Sequence, residues 1–102
     1  MLRALLLLLL LAGCTGGLNV GSLVSPADAQ RRGAVEVAVK GAYPGILDEI
    51  EAGGGPALAG ALDAAGVPLQ DRPTRLIQLR GDLGLYEANP GALVSALLLY
   101  GR

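Results

Sequence analysis

From Ser25 onward, proline and glycine cut the chain into short apolar segments with helical period, and this punctuation limits the fold more than any other feature. Ser25-Pro26-Ala27-Asp28 offers an N-cap hydroxyl, a proline at the first helical position and an acid in the first turn, which together predict a helix start. Ala34, Val35, Ala38, Val39 and Ala42 follow at helical spacing, with Glu36 and Lys40 on the other side. Val35, Val37 and Val39 also alternate as a strand would, and β-branched residues favour that alternative. The helix is preferred because the start signal is good and no second strand-like segment is present to pair with. A lone strand would leave backbone groups unpaired or require another chain.

Four further segments follow. Tyr43, Ile46, Leu47 and Ile50 lie at i, i+3, i+4 and i+7, with Asp48, Glu49 and Glu51 expected to face away, and Gly53-Gly54-Gly55 ends the run. Pro56 starts the next helix, with Leu58, Ala61, Leu62 and Ala65 on one face, closed by Gly66 and Pro68. Asp71 and Pro73 open another, striped by Leu76, Leu79, Leu83 and Tyr86, and weakened at Gly81 and Gly84, where a bend or close helix contact is expected. Asn89-Pro90 caps the last helix, carrying Leu93, Val94, Leu97, Leu98 and Tyr100, with Leu99 widening its apolar arc. Ala-Leu-x-x-Ala-Leu occurs at 57–62 and again at 92–97 and is read as two similar core faces. The expectation is an all-α bundle of four to five short helices over residues 25–102.

Composition makes that bundle small in volume as well as in length. Phe, Trp and His are absent, and the one cysteine permits no internal disulfide. The core must come from Leu, Val, Ile, Ala and the tyrosines 43, 86 and 100. Such a core is marginal, which makes self-association or an envelope protein partner an expectation. Net charge is −1 over the 102 residues, and no basic patch suited to nucleic acid is evident.

The first residues carry a different signal. Met1 and Arg3 give a short positive end, Ala4 to Leu11 form an apolar block, and Ala12-Gly13 precede Cys14. As a helix that block spans roughly 12–15 Å, about half the ~30 Å hydrocarbon core, so it is too short for a permanent anchor. Leu11-Ala12-Gly13-Cys14 resembles the lipobox of bacterial lipoproteins. The resemblance implies a signal peptide at 1–13, diacylglycerol transfer to the Cys14 thiol, cleavage before it and acylation of the new amine. A membrane partner would then be held through lipidated Cys14, with residues 14–24, rich in glycine, as a flexible tether. An ordinary secretory signal cut after Ala27-Asp28-Ala29 is the alternative, but that site lies too far downstream of the apolar block. Thr15 in place of an acidic residue favours the periplasmic face of the outer membrane. The block 35–101, with Glu36, Lys40, Gly53-Gly54-Gly55-Pro56, Gly66-Val67-Pro68 and Asp82-Leu83-Gly84-Leu85-Tyr86, resembles small proteobacterial lipoproteins, a group with no activity to carry over.

Catalytic chemistry finds little to work with. Without histidine there is no Ser-His-Asp triad and no histidine metal site, and no lysine stands at Ser-x-x-Lys spacing from Ser25 or Ser95. Asp48, Glu49, Glu51, Asp82 and Glu87 are the carboxylates from which a glycosidase pair could be drawn, and they read more simply as a solvated acidic face. Gly53-Gly54-Gly55-Pro56 could present amides to a phosphate, but no Gly-Lys-Ser/Thr follows. Arg31-Arg32 could meet anionic headgroups close to the tether. The chain is therefore expected to be a lipid-anchored envelope protein with a structural or interaction role, no enzyme, without metal or cofactor. Its expected contact surface is Leu99 and Tyr100, beside the bend at 81–84. A small binding module for an envelope lipid or glycan fragment is the alternative.

Overall fold

A computed structural model describes residues 25–102; the expected signal, Cys14 and tether lie outside the described residues. Within them, six α-helices and one 3-10 turn follow one another, and no strand is present. Helix α1 is Pro26–Ala42, α2 Gly45–Ala52, α3 Pro56–Ala65, α4 Arg72–Gly81, α5 Leu83–Tyr86 and α6 Pro90–Tyr100, with the 3-10 turn at Leu69–Asp71. The all-α bundle expected from the sequence is what forms.

The ambiguous valines resolve as helix. Val35 and Val39 are fully buried, whereas Val37 between them is 75% exposed. A strand with the same alternation would send all three to one side, so the burial pattern itself carries the helical period. The Ser25 hydroxyl accepts from the Asp28 amide at 3.0 Å and starts the helix as its sequence predicts. Ala34, expected on the apolar face, is exposed instead, because the core-facing stripe is the narrower one through Val35, Ala38, Val39 and Ala42.

Helix α1 packs most extensively on α3 and next on α6, while α2 reaches α3, α4 and α5. The core gathers Val35 and Val39 of α1, Ile46 and Ile50 of α2, Leu58 and Leu62 of α3, Leu79, Tyr86, and Leu93 and Leu97 of α6. Tyr43 is not the first turn of α2. It ends α1 in an extended conformation, with φ −78° and ψ 139°, as expected of a residue whose backbone is crowded by the proline after it.

Two glycines stop helices where the sequence puts them. Gly53 and Gly66 adopt the left-handed region, at φ 96° and 77°, and each closes a double backbone bond typical of a helix C-terminus. Gly54 N–H donates to the Glu49 carbonyl and Gly53 N–H to that of Ile50, while Val67 and Gly66 do the same to Leu62 and Asp63. Val67 buries its side chain directly after the second stop.

The segment from Asp71 divides into two helices, so the bundle has one more element than expected. Asp82 leaves the helical region, at φ −103° and ψ 13°, although its N–H still bonds back to Gln78 and Leu79. Gly81 and Gly84 on either side give the helix little reason to continue. The break lets α5 turn Tyr86 inward.

Candidate functional site

The first two turns of α1 and the last two of α6 form the walls of an open groove of about 380 Å³. Asp28, Arg31 and Arg32 come from α1, Ser95, Leu98 and Leu99 from α6, and Arg102 closes the end. Arg31 organises the place. Its Nη1 donates to the Ala65 carbonyl at 2.8 Å and to the Leu98 carbonyl at 3.3 Å. Those are last-turn carbonyls of α3 and α6, groups that lack partners within their own helices and carry the negative end of the dipole, so a guanidinium suits both. Gly101 permits the approach: a Cβ there would overlap the Ala65 carbonyl and press on Arg31 Nη1.

Arg32 and Arg102 are exposed, and Asp28 carries the sole side-chain carboxylate among the lining residues. The ion pairs of the described residues lie elsewhere, at Lys40–Glu36 and Arg72–Asp63. Leu99 stands 63% exposed at the rim, while Leu98 beneath it is buried.

Tyr100, expected to share a contact surface with Leu99, points to another side. Its ring lies 4.5 Å beneath the Arg75 guanidinium, half-buried against the core. It also neighbours Tyr86, whose phenol is pushed up to about 12 by burial first, then by Tyr100 and Asp82. The Tyr43 hydroxyl donates to the Tyr86 carbonyl at 2.9 Å and to the Glu87 carbonyl. Three tyrosines thus pin the α5 turn between α1 and α6. The bend at 81–84 lines a separate groove of about 450 Å³ with Glu51, Ile77 and Arg80.

The acidic positions do not act as one face. Glu49, expected to face solvent, is half-buried and its Oε1 accepts from the Leu58 amide at 3.0 Å, capping α3 across the glycine turn. Gly55 leaves room for this carboxylate, which a Cβ there would displace. The amide that could have met a phosphate is therefore already taken by the chain. Asp48 and Glu51 stay exposed on α2, Asp82 sits at the α4–α5 break, and Glu87 follows α5. No three His, Cys, Asp or Glu residues among the described ones come together as a metal site.

Arg72 is a second bracket that the sequence does not announce. Its Nε and Nη2 donate to the Val67 carbonyl at 3.1 and 3.0 Å, and Nη2 meets Asp63 Oδ1 at 2.7 Å. Beside it, Gly54, Leu58, Leu62, Leu69 and Leu76 line a mainly apolar groove of about 420 Å³. Arg31 binds carbonyls 34 and 67 residues away, and Arg72 one that lies five residues back across the turn between α3 and α4, so helical periodicity marks neither.

Comparison with protein-family models, curated proteins and solved structures gives no match for this chain.

Proposed function

We propose that this chain is a lipid-anchored bacterial cell-envelope protein with a structural or protein-interaction role, held at the periplasmic face of the outer membrane through Cys14. The observation that carries the proposal is Leu11-Ala12-Gly13-Cys14 directly after the apolar block Ala4–Leu11. Thioether formation at the cysteine sulfur and acylation of its amine supply more than one chain. One chain gives marginal binding, and two or more give stable anchoring. The ten residues from Thr15 to Val24 reach at most roughly 33–36 Å when extended, so the helical domain works close to the surface that holds it. Leu99 is its contact residue toward a partner.

Metabolic labelling with a palmitate analogue tests this. Wild-type chain takes up label, Cys14→Ser does not, and globomycin causes an uncut precursor to accumulate. Equal labelling of Cys14→Ser and wild type would reject the anchor. In the lipidated protein, Leu99→Ala leaves the melting temperature within about 2 °C, as an exposed position should, and reduces crosslinking to the partner.

A small binding module for an envelope lipid or glycan fragment is the second reading, favoured by the apolar groove beside Leu58, Leu62 and Leu76. Saturable binding of such a fragment, lost in Leu62→Glu, would select it over the first.

A further inference from the structure

We propose that the groove between the start of α1 and the end of α6 is the face by which the domain lies on anionic phospholipid headgroups of the membrane that carries its anchor. This rests on the anchored reading above. Three guanidinium groups, of Arg31, Arg32 and Arg102, stand there against the single side-chain carboxylate of Asp28. The rest of the chain's acids lie outside the groove, so its positive character is local to a protein that is acidic as a whole.

Arg31 is pre-set for the task. Among the described residues, both of its hydrogen bonds leave from Nη1, and a guanidinium carries five donors in a fixed fork. Nε and Nη2 are left to face a phosphate oxygen, while the Ala65 and Leu98 carbonyls hold the plane of the group in place. Arg32 and Arg102 flank it on flexible stems suited to neighbouring headgroups.

Chain continuity selects a membrane rather than a protein as the occupant. The groove begins three residues after Ser25, where the chain arriving from Cys14 enters the domain. Ten residues separate Cys14 from Ser25, so an anchored domain cannot move its groove far from the headgroups. A free anion could use the same donors. The effective concentration of headgroups on a short tether decides between the two.

The test uses the full chain purified from bacterial membranes and placed in lipid nanodiscs, either of phosphatidylcholine alone or with phosphatidylglycerol at one third. Hydrogen exchange of the amides at 28–32 and 98–102 is compared between the two. Each arginine at an anionic surface shifts the docked-to-free ratio about fivefold, so exchange there slows at least about fivefold in the anionic discs and returns in 0.5 M salt. Arg32→Glu/Arg102→Glu abolishes the slowing, and the milder Arg32→Gln/Arg102→Gln reduces it, with circular dichroism confirming that each variant is helical. Equal exchange in both discs overturns this inference and leaves the anchor standing. A chain that enters neither disc overturns both. The same slowing by millimolar inorganic phosphate in phosphatidylcholine discs overturns the membrane as the source and points to a soluble anion.

Discussion

The segments 57–62 and 92–97 share the pattern Ala-Leu-x-x-Ala-Leu, yet the helices that carry them, α3 and α6, are built into the fold in different ways. Both start on a proline and bury both leucines of the pattern. Beyond that they diverge. Helix α3 completes its face with Ala61 and Ala65, and these small side chains let α1 approach closely along it. Helix α6 adds Val94 and Leu98, so its buried arc is wider and it touches α1, α3 and α5. Their caps differ in the same sense. Asn89 caps α6 locally, accepting from the Ala92 amide at 3.1 Å, whereas α3 takes its cap from Glu49 on the preceding helix. At the other end, a single Arg31 serves both. A shared local pattern sets which side goes inward, and the neighbours decide how each helix is closed.

The largest test of that comparison is truncation of one fully buried leucine of the pattern in each helix. Leu58 and Leu97 are both essentially without exposure, and each change to alanine is expected to cost ~2–5 kcal/mol. That is a large share of the ~5–15 kcal/mol available to an ordinary domain. Denaturant unfolding of the chain from residue 15 onward measures both. If Leu97→Ala melts with the wild type, α6 is peripheral and the comparison fails. If Leu58→Ala costs far less than Leu97→Ala, the wider arc of α6 is the dominant part of the core.

A smaller effect is expected at the shared end. Arg31→Met removes the donor to both last-turn carbonyls while keeping most of the stem, at a cost of ~1–3 kcal/mol. Gly101→Ala should produce a similar loss by wedging Arg31 and the Ala65 carbonyl apart. The two changes together should cost little more than either alone, because both undo one junction. Simple additivity in the double variant would mean that α3 and α6 end independently.

An effect of similar size separates α6 from α3 by pH. Only α6 presses a tyrosine, Tyr100, toward the buried Tyr86, whose phenol is raised from 10.0 to about 12. Since the folded state holds this proton more tightly than the unfolded chain, its contribution is complete below pH 10. It is lost as pH rises toward 12. Stability should fall by roughly 1–3 kcal/mol across that window, and Tyr86→Phe should remove that share of the slope. An unchanged alkaline slope in Tyr86→Phe would place the titration elsewhere.

What could be read from the order of residues is what depends on near neighbours. Ser25-Pro26, Asn89-Pro90, Gly53 and Gly66 act within four residues of themselves, so the helix starts and stops they predict are those that form. The core faces of α3 and α6 follow from spacing alone, since period 3.6 brings Leu58 above Leu62 and Leu93 above Leu97 in any helix. The same rule left Val35 to Val39 undecided, because a five-residue stretch satisfies both periods. The tertiary structure settled it by burying Val35 and Val39 in the shared core and leaving Val37 exposed. It also turned Glu49 into a cap, divided the fourth helix at Asp82, parted Leu99 from Tyr100 and drew Arg31 onto carbonyls 34 and 67 residues away. Those outcomes depend on which unsatisfied backbone groups the packing brings within reach of a long polar side chain, and sequence separation carries no trace of that distance.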